Sequence, residues 1–149
     1  MELELFDEVA EALRGMVDPT IGELRVRARR WGVKVWFGPA EPPREHYEAQ
    51  VIGARDVPAA EVVAIEIGFH AEHRDETANE AALGTLVRHQ ERWRTALGPA
   101  AVAGPFRGGA EHWRRLSETW PDPDLSDPDL GMEIAARLAD YLDAIEPLR

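Results

Sequence analysis

The stretch Glu61–His73, with the sequence EVVAIEIGFHAEH, alternates between apolar and polar side chains and restricts the fold more than any other part of the chain. Alternate residues of a β-strand share one face. The apolar face would carry Val63, Ile65, Ile67 and Phe69. The opposite face would carry Glu66, His70 and Glu72, with Gly68 between them. This pattern predicts a central strand whose apolar face is covered by helices and whose charged face meets solvent.

Two further stretches alternate in the same way and precede this strand. Residues 33–37 and 45–55 are predicted to be strands, separated by a proline-rich loop over 38–43. With a turn over 56–60, the region 33–73 forms a three-stranded antiparallel meander.

Amphipathic spacing predicts a helix over residues 2–16 and another after an Asp-Pro pair near 127–129. Thr77 and Glu80 fit a capping box that begins a helix running to Leu97.

Residues 19–30 fit two structures. Asp18-Pro19 resembles a helix N-cap and Gly32 a helix end, which favours a helix over 19–30. The alternation from Leu24 to Arg29 instead favours a strand with the arginines on one face. We favour the helix.

Residues 100–106 are predicted to form a short edge strand, because Pro105 lacks a donor, and residues 112–120 a further strand. The fold class is therefore α+β: a single-layer antiparallel sheet, a meander of three strands plus one or two more, with helices packed on one face. We expect residues 1–149 to form one domain.

The composition excludes several classes of protein. The 149 residues carry a formal net charge of −11, which disfavours binding to nucleic acid or to an anionic membrane. The sequence contains no cysteine, so disulfides, thiolate metal sites and thiol catalysis are excluded. With no secretory pattern at the acidic N-terminus and no long apolar run, we expect a cytoplasmic protein. No cofactor motif is present, and we predict none.

The charged face of the predicted sheet is the candidate site. A turn centred near residue 57 would place Glu48 opposite Glu66, His46 opposite Gly68 and Arg44 opposite His70. Trp36 would be exposed on this face. The candidate residues for binding a ligand or partner are Trp36, Arg44, His46, Glu48, Glu66, His70 and Glu72.

A metal is a weaker expectation for the same face, with Glu48, Glu66 and His70 as the candidate ligands. The H-x-E spacing of His70 and Glu72 also occurs in zinc deaminases, but these need a later P-C-x-x-C motif, and this chain has no cysteine. We therefore assign no catalytic residue from the sequence.

These observations leave three functional hypotheses. The first is a small acidic, non-enzymatic module that binds a ligand or protein through the charged face, with a possible homodimer formed through Trp36. The second is a metal-assisted hydrolase using Glu48, Glu66, His70 and Glu72 of that face. The third is an acidic inhibitor or immunity-type protein, which only the net charge supports.

Overall fold

A computed structural model describes residues 4–106 and 109–149 of the chain. These residues form four α-helices and six β-strands: α1 Leu5–Met16, β1 Leu24–Arg29, β2 Gly32–Phe37, β3 Glu45–Gly53, β4 Val63–Ala71, α2 Glu76–Val87, α3 Gln90–Leu97, β5 Val102–Pro105, β6 Arg114–Pro121 and α4 Leu130–Ile145. Short 3₁₀ turns lie at Ala54–Asp56 and Glu146–Leu148. Residues 2 and 3 of the predicted first helix lie outside the described residues.

The six strands make one open sheet in the order β1-β2-β3-β4-β6-β5, and every neighbouring pair is antiparallel. The predicted meander is confirmed as β2, β3 and β4. The predicted strands near 100–106 and 112–120 are also confirmed, and β5 lies at the edge of the sheet. The sheet has six strands because residues 24–29 contribute one more.

The prediction of a helix over residues 19–30 is therefore wrong. Residues 24–29 form the strand that the alternating pattern favours. Val26 of β1 pairs with Val35 of β2, so the apolar residues of β1 join the sheet's apolar face. The Asp18 side chain accepts hydrogen bonds from the Thr20 amide and hydroxyl in a turn, at 2.9 and 2.8 Å. Pairing with β2 thus determines the structure of residues 24–29 and outweighs the local signals for a helix.

All four helices contribute buried side chains to one core on a single face of the sheet. Helices α1 and α4 pack against each other and against the first four strands, while α2 lies against β4, β5 and β6. Tyr47 and Ile67 enter this core from the sheet, and Leu13 and Leu138 enter it from α1 and α4. The prediction of helices on one face is confirmed.

The predicted helix from Thr77 to Leu97 is two helices, α2 and α3. Asp75 is the N-cap of α2, and its side chain accepts the Thr77 amide at 3.0 Å, so the capping box at Thr77 and Glu80 is wrong. The indole Nε1 of Trp93 donates to the Leu86 carbonyl at 2.8 Å across the break. This hydrogen bond connects α3 to the last turn of α2.

Within residues 4–106 and 109–149, no helix has the length and apolar character needed to cross a bilayer.

Candidate metal centre

The central hairpin of β3 and β4 has a register two residues away from the predicted one. His46 pairs with His70, Glu48 with Gly68, and Gln50 with Glu66. The predicted oppositions of Glu48 to Glu66, His46 to Gly68 and Arg44 to His70 are wrong. The connection contains a 3₁₀ turn at Ala54–Asp56, which moves the centre of the hairpin to residue 58. A shift of two residues leaves each side chain on its predicted face.

The two central strands carry the same short motif. His46 and Glu48 lie on β3, and His70 lies on β4 with Glu72 just beyond the strand's end. Because the histidines are directly opposite in an antiparallel pair, the two glutamates extend in opposite directions along the hairpin. Each glutamate therefore reaches its own histidine and the histidine of the other strand.

Four ligand atoms form a closed ring between the strands. His46 Nε2 is 2.8 Å from Glu48 Oε1 and 3.4 Å from Glu72 Oε2. His70 Nδ1 is 3.6 Å from Glu48 Oε1 and 2.9 Å from Glu72 Oε2. The four residues offer ligand atoms that all lie within 4.8 Å of one another. Two ligands bonded at roughly 2.1 Å to one metal ion, at about 90–110°, are about 3.0–3.4 Å apart. The ring is therefore close to the size of a coordination sphere.

Glu66 orients one of the two histidines. Both oxygens of its carboxylate lie against His70 Nε2, at 2.8 and 3.0 Å. This contact places Nε2 against the Glu66 carboxylate and leaves Nδ1 facing the ring of ligand atoms. Gln50 Nε2 donates to Glu66 at 3.1 Å and holds the carboxylate in turn. Glu66, predicted as a metal ligand, lies behind His70 and outside the four-atom ring.

The electrostatics of the cluster favour positive charge. Burial alone would lower the pKa of His70, but the Glu66 carboxylate and then Glu72 and Glu48 raise it. Burial would raise the pKa of Glu72, but hydrogen bonds from His46 and His70 hold it well below its usual range. In the same way, His70 outweighs burial and lowers the pKa of Glu66. Three carboxylates thus surround one imidazole, and a divalent cation would balance them.

His46 differs from His70 in its outer partner. Its imidazole is fully buried, and Nδ1 has no hydrogen-bond partner among the described residues. The two imidazole rings are 5.5 Å apart between centroids and tilted by 53°. The two histidines therefore present different nitrogens to the ring of ligand atoms, Nε2 for His46 and Nδ1 for His70. Only His70 has an outer hydrogen-bond partner among the described residues.

The charged face is not open to solvent, contrary to the sequence prediction. His46, Glu48, Glu66 and His70 are all buried, and Phe106 packs on the His70 ring at 4.8 Å between centroids. The side chains of Glu48 and Glu72 keep 11% and 13% exposure. Access to the cluster is therefore through its two glutamates.

Trp36 is also buried, at 5% exposure, so the prediction of an exposed tryptophan is wrong. Val35 of β2 pairs with Tyr47 of β3. Because the strands are antiparallel, the next residue of β2, Trp36, lies on the side of His46. The guanidinium of Arg27 lies 5.6 Å from the centroid of its ring. Trp36 is therefore buried within its own chain, on β2 beside the strand that carries His46.

Arg44 contributes through its backbone. Its carbonyl accepts the Glu72 amide at 2.7 Å, which extends the hairpin by one bond and positions Glu72. The Arg44 side chain is exposed, and the structure does not bring it into the cluster.

Lys34 is the residue that sequence reasoning missed. It pairs with Glu48 across β2 and β3, and its Nζ lies 3.9 Å from Glu72 Oε1. The alternation of residues 33–37 places Lys34 on the same face as Trp36, which was the available signal. Its proximity to the cluster could not be predicted, because it depends on the pairing of β2 with β3.

A third buried carboxylate among the described residues, that of Glu118 in β6, lies on the helical side of the sheet and has different partners. It accepts hydrogen bonds from Arg137 at 2.7 Å, Tyr141 at 2.9 Å and Trp120 at 2.8 Å. Every partner of this carboxylate is a donor, so the group ties α4 to the sheet. Its role is structural.

Comparisons with models of known protein families, with curated protein sequences and with solved structures gave no match. The function is therefore argued from the geometry of the cluster. Two imidazole nitrogens and two carboxylate oxygens suit Zn²⁺, Fe²⁺ or Mn²⁺ among the divalent ions.

Proposed function

We propose that the protein binds one divalent transition-metal ion through His46, Glu48, His70 and Glu72, and that it is a metal-assisted hydrolase. The single observation that carries this proposal is the closed ring of four ligand atoms, with separations between 2.8 and 3.6 Å around its edge.

Hydrogen bonding within the cluster accounts for only part of this ring. The separations of 2.8 and 2.9 Å fit His–Glu hydrogen bonds. The cross-strand separations of 3.4 and 3.6 Å are near the hydrogen-bond limit or beyond it. The first lies at the upper end of the range of about 3.0–3.4 Å for two ligands of one metal ion, and the second is slightly beyond that range. Glu66 behind His70 supplies the outer carboxylate that metal-binding histidines generally have.

The metal would act on a bound water or on a polarised substrate oxygen. A metal ion with an open position lowers the pKa of its water and produces a nucleophile near neutral pH. Coordination beyond four ligands leaves such a position, and the exposed edge at Glu48 and Glu72 is where a substrate would reach it.

The geometry gives less support to a protein-binding charged face, because the charges of that face are turned inwards. Trp36, on which the homodimer expectation rested, is covered by its own chain, so we do not propose a dimer. An acidic inhibitor is supported only by the net charge of −11. We propose a cytoplasmic location from the lack of cysteine in the sequence.

The test is a calorimetric titration of chelator-treated protein with Zn²⁺, Mn²⁺ and Co²⁺. We expect one ion per chain for at least one metal. The variants His46→Gln and Glu72→Gln should each weaken the affinity at least tenfold, because each removes one ligand.

The matched control is His73→Gln. His73 Nε2 is 2.8 Å from Glu45 Oε2, so it is another His–Glu pair, but it lies outside the cluster. This variant should bind metal like the wild type. No binding by the wild-type protein, or equal weakening in His73→Gln, would overturn the proposal.

A further inference from the structure

A cleft lies on the sheet directly beside the four-atom ring. It has a volume of about 310 Å³ and runs along β1 and β2 to Glu48 and Gln50 of β3. This size is at the lower end of small-molecule sites. Glu48 belongs to both the cleft and the ring, so a molecule in the cleft would be next to a metal bound there.

The lining of the cleft is basic in a strongly acidic protein. Arg27, Arg29, Arg30 and Lys34 line it, and Glu48 is its single carboxylate. The chain as a whole has a net charge of −11. A local excess of positive charge in such a chain concentrates anions at this position.

The strand pairing creates this basic lining. Arg27 pairs with Lys34, and Lys34 pairs with Glu48, so a row of charged side chains crosses three strands towards the cluster. Arg27 bonds Glu41 at 2.6 Å, whereas Arg29 forms no ion pair with any residue in the described ranges. Arg29 therefore has its guanidinium available for a ligand.

The cleft also has an apolar wall and a link to the outer partners of the cluster. Trp31 lines it and is 57% exposed, which is unusual for a side chain of this size. Gln50 lines it while donating to Glu66. An organic group could pack on the indole while an anionic group faces the basic side chains.

We propose that this cleft binds a small organic phosphate or carboxylate, with one anionic oxygen reaching the metal at Glu48 and the rest of the anion held by Arg29 and Lys34. The inference rests on the proposed metal site for its inner contact. It names the substrate class of that site as a small oxyanion.

The experiment measures binding of two probes, phenyl phosphate and benzoate, to metal-free and metal-loaded protein by calorimetry. We expect phenyl phosphate, benzoate or both to bind more tightly to the loaded protein. Arg29→Gln and Lys34→Gln should each reduce that affinity about tenfold, because each removes one charged hydrogen-bond donor. Arg29→Gln, whose side chain forms no part of the cluster, should still bind one metal ion.

Arg92→Gln is the matched control, since Arg92 is an exposed arginine of α3, away from the cleft. It should bind the probes like the wild type. If the protein binds metal but neither probe, or if Arg92→Gln loses as much affinity as Arg29→Gln, this inference is wrong while the metal site stands. If the protein binds no metal, the proposed function is wrong, whatever the result with the two probes.

A third arm uses single-stranded oligonucleotides. Tighter binding of these than of the small probes, with an affinity that falls steeply with salt, would replace the small-molecule assignment by a nucleic-acid one.

Discussion

His46 and His70 lie directly opposite each other on the two central antiparallel strands, and each is followed two residues later by a glutamate. This pairing creates an approximate two-fold axis between the strands. The axis brings the two imidazoles and the two carboxylates to one point on the sheet. A site of this kind needs only one hairpin in the correct register.

Metal binding should stabilise the protein by mass action. At a free metal concentration about 100 times the dissociation constant, the free energy of unfolding should rise by about 2.7 kcal/mol. Thermal unfolding followed by circular dichroism would show the increase, and EDTA should reverse it. The His46→Gln variant should show no increase, and an equal increase in that variant would mean that the ion stabilises the chain from another position.

Glu66 should act as a positioning residue. Replacing it by glutamine removes the negative charge behind His70, so metal affinity should fall about 10- to 100-fold with one ion still bound per chain. Competition with a chromophoric chelator would measure the change. The control Glu45→Gln alters the carboxylate beside His73 and should have no effect. Wild-type affinity in Glu66→Gln would show that its bond to His70 is unrelated to metal binding.

Gly68 should tolerate no side chain. A Cβ at this position would lie 2.3 Å from the Leu116 carbonyl oxygen and 2.5 Å from Ser117 Cα, both in the adjacent strand β6. The glycine φ of +157° adds to the strain. Gly68→Ala should therefore lower the free energy of unfolding by at least about 2 kcal/mol in urea titration. Gly53→Ala, at the end of β3 with nothing within 4 Å of the new Cβ, should remain near the wild type.

The Glu118 carboxylate should stabilise the fold at neutral pH and lose this contribution in acid. Burial would raise its pKa, but hydrogen bonds from Arg137, Trp120 and Tyr141 lower it below the ordinary value. The folded pKa is thus below the unfolded pKa of about 4.3, so the contribution is complete above that pH and is lost as the pH falls through the folded pKa. Glu118→Gln should cost about 3 kcal/mol at neutral pH.

The measurement is urea unfolding between pH 7 and pH 3. The difference between wild type and Glu118→Gln should be largest above about pH 5 and should shrink in acid. The exposed control Glu91→Gln should follow the wild-type curve. A difference that stays constant down to pH 3 would contradict the role assigned to the Glu118 carboxylate.

The period-two pattern was sufficient to predict which side chains share a face. His46, Glu48, Glu66 and His70 lie together because side-chain alternation depends only on the strand itself. The register depended on the turn, and the 3₁₀ segment at Ala54–Asp56 leaves no clear sequence signal. The predicted faces of the hairpin residues were therefore right, whereas the predicted cross-strand pairs were wrong.

Burial of the cluster could not be predicted from the strands. Phe106 packs on His70 from a separate part of the chain, and Lys34 comes close to the cluster only because β2 pairs with β3. Residues 24–29 show the same limit. Their helix and strand signals were nearly balanced, and pairing with β2 decided between them.

The most direct test of the metal site is anomalous diffraction from a crystal of the protein grown with Zn²⁺ or Mn²⁺. The account predicts one strong peak between β3 and β4, at roughly 2.0–2.2 Å from His46 Nε2, Glu48 Oε1, His70 Nδ1 and Glu72 Oε2. No peak at this position in crystals soaked at saturating metal, or an ion bound only by surface carboxylates elsewhere, would contradict it.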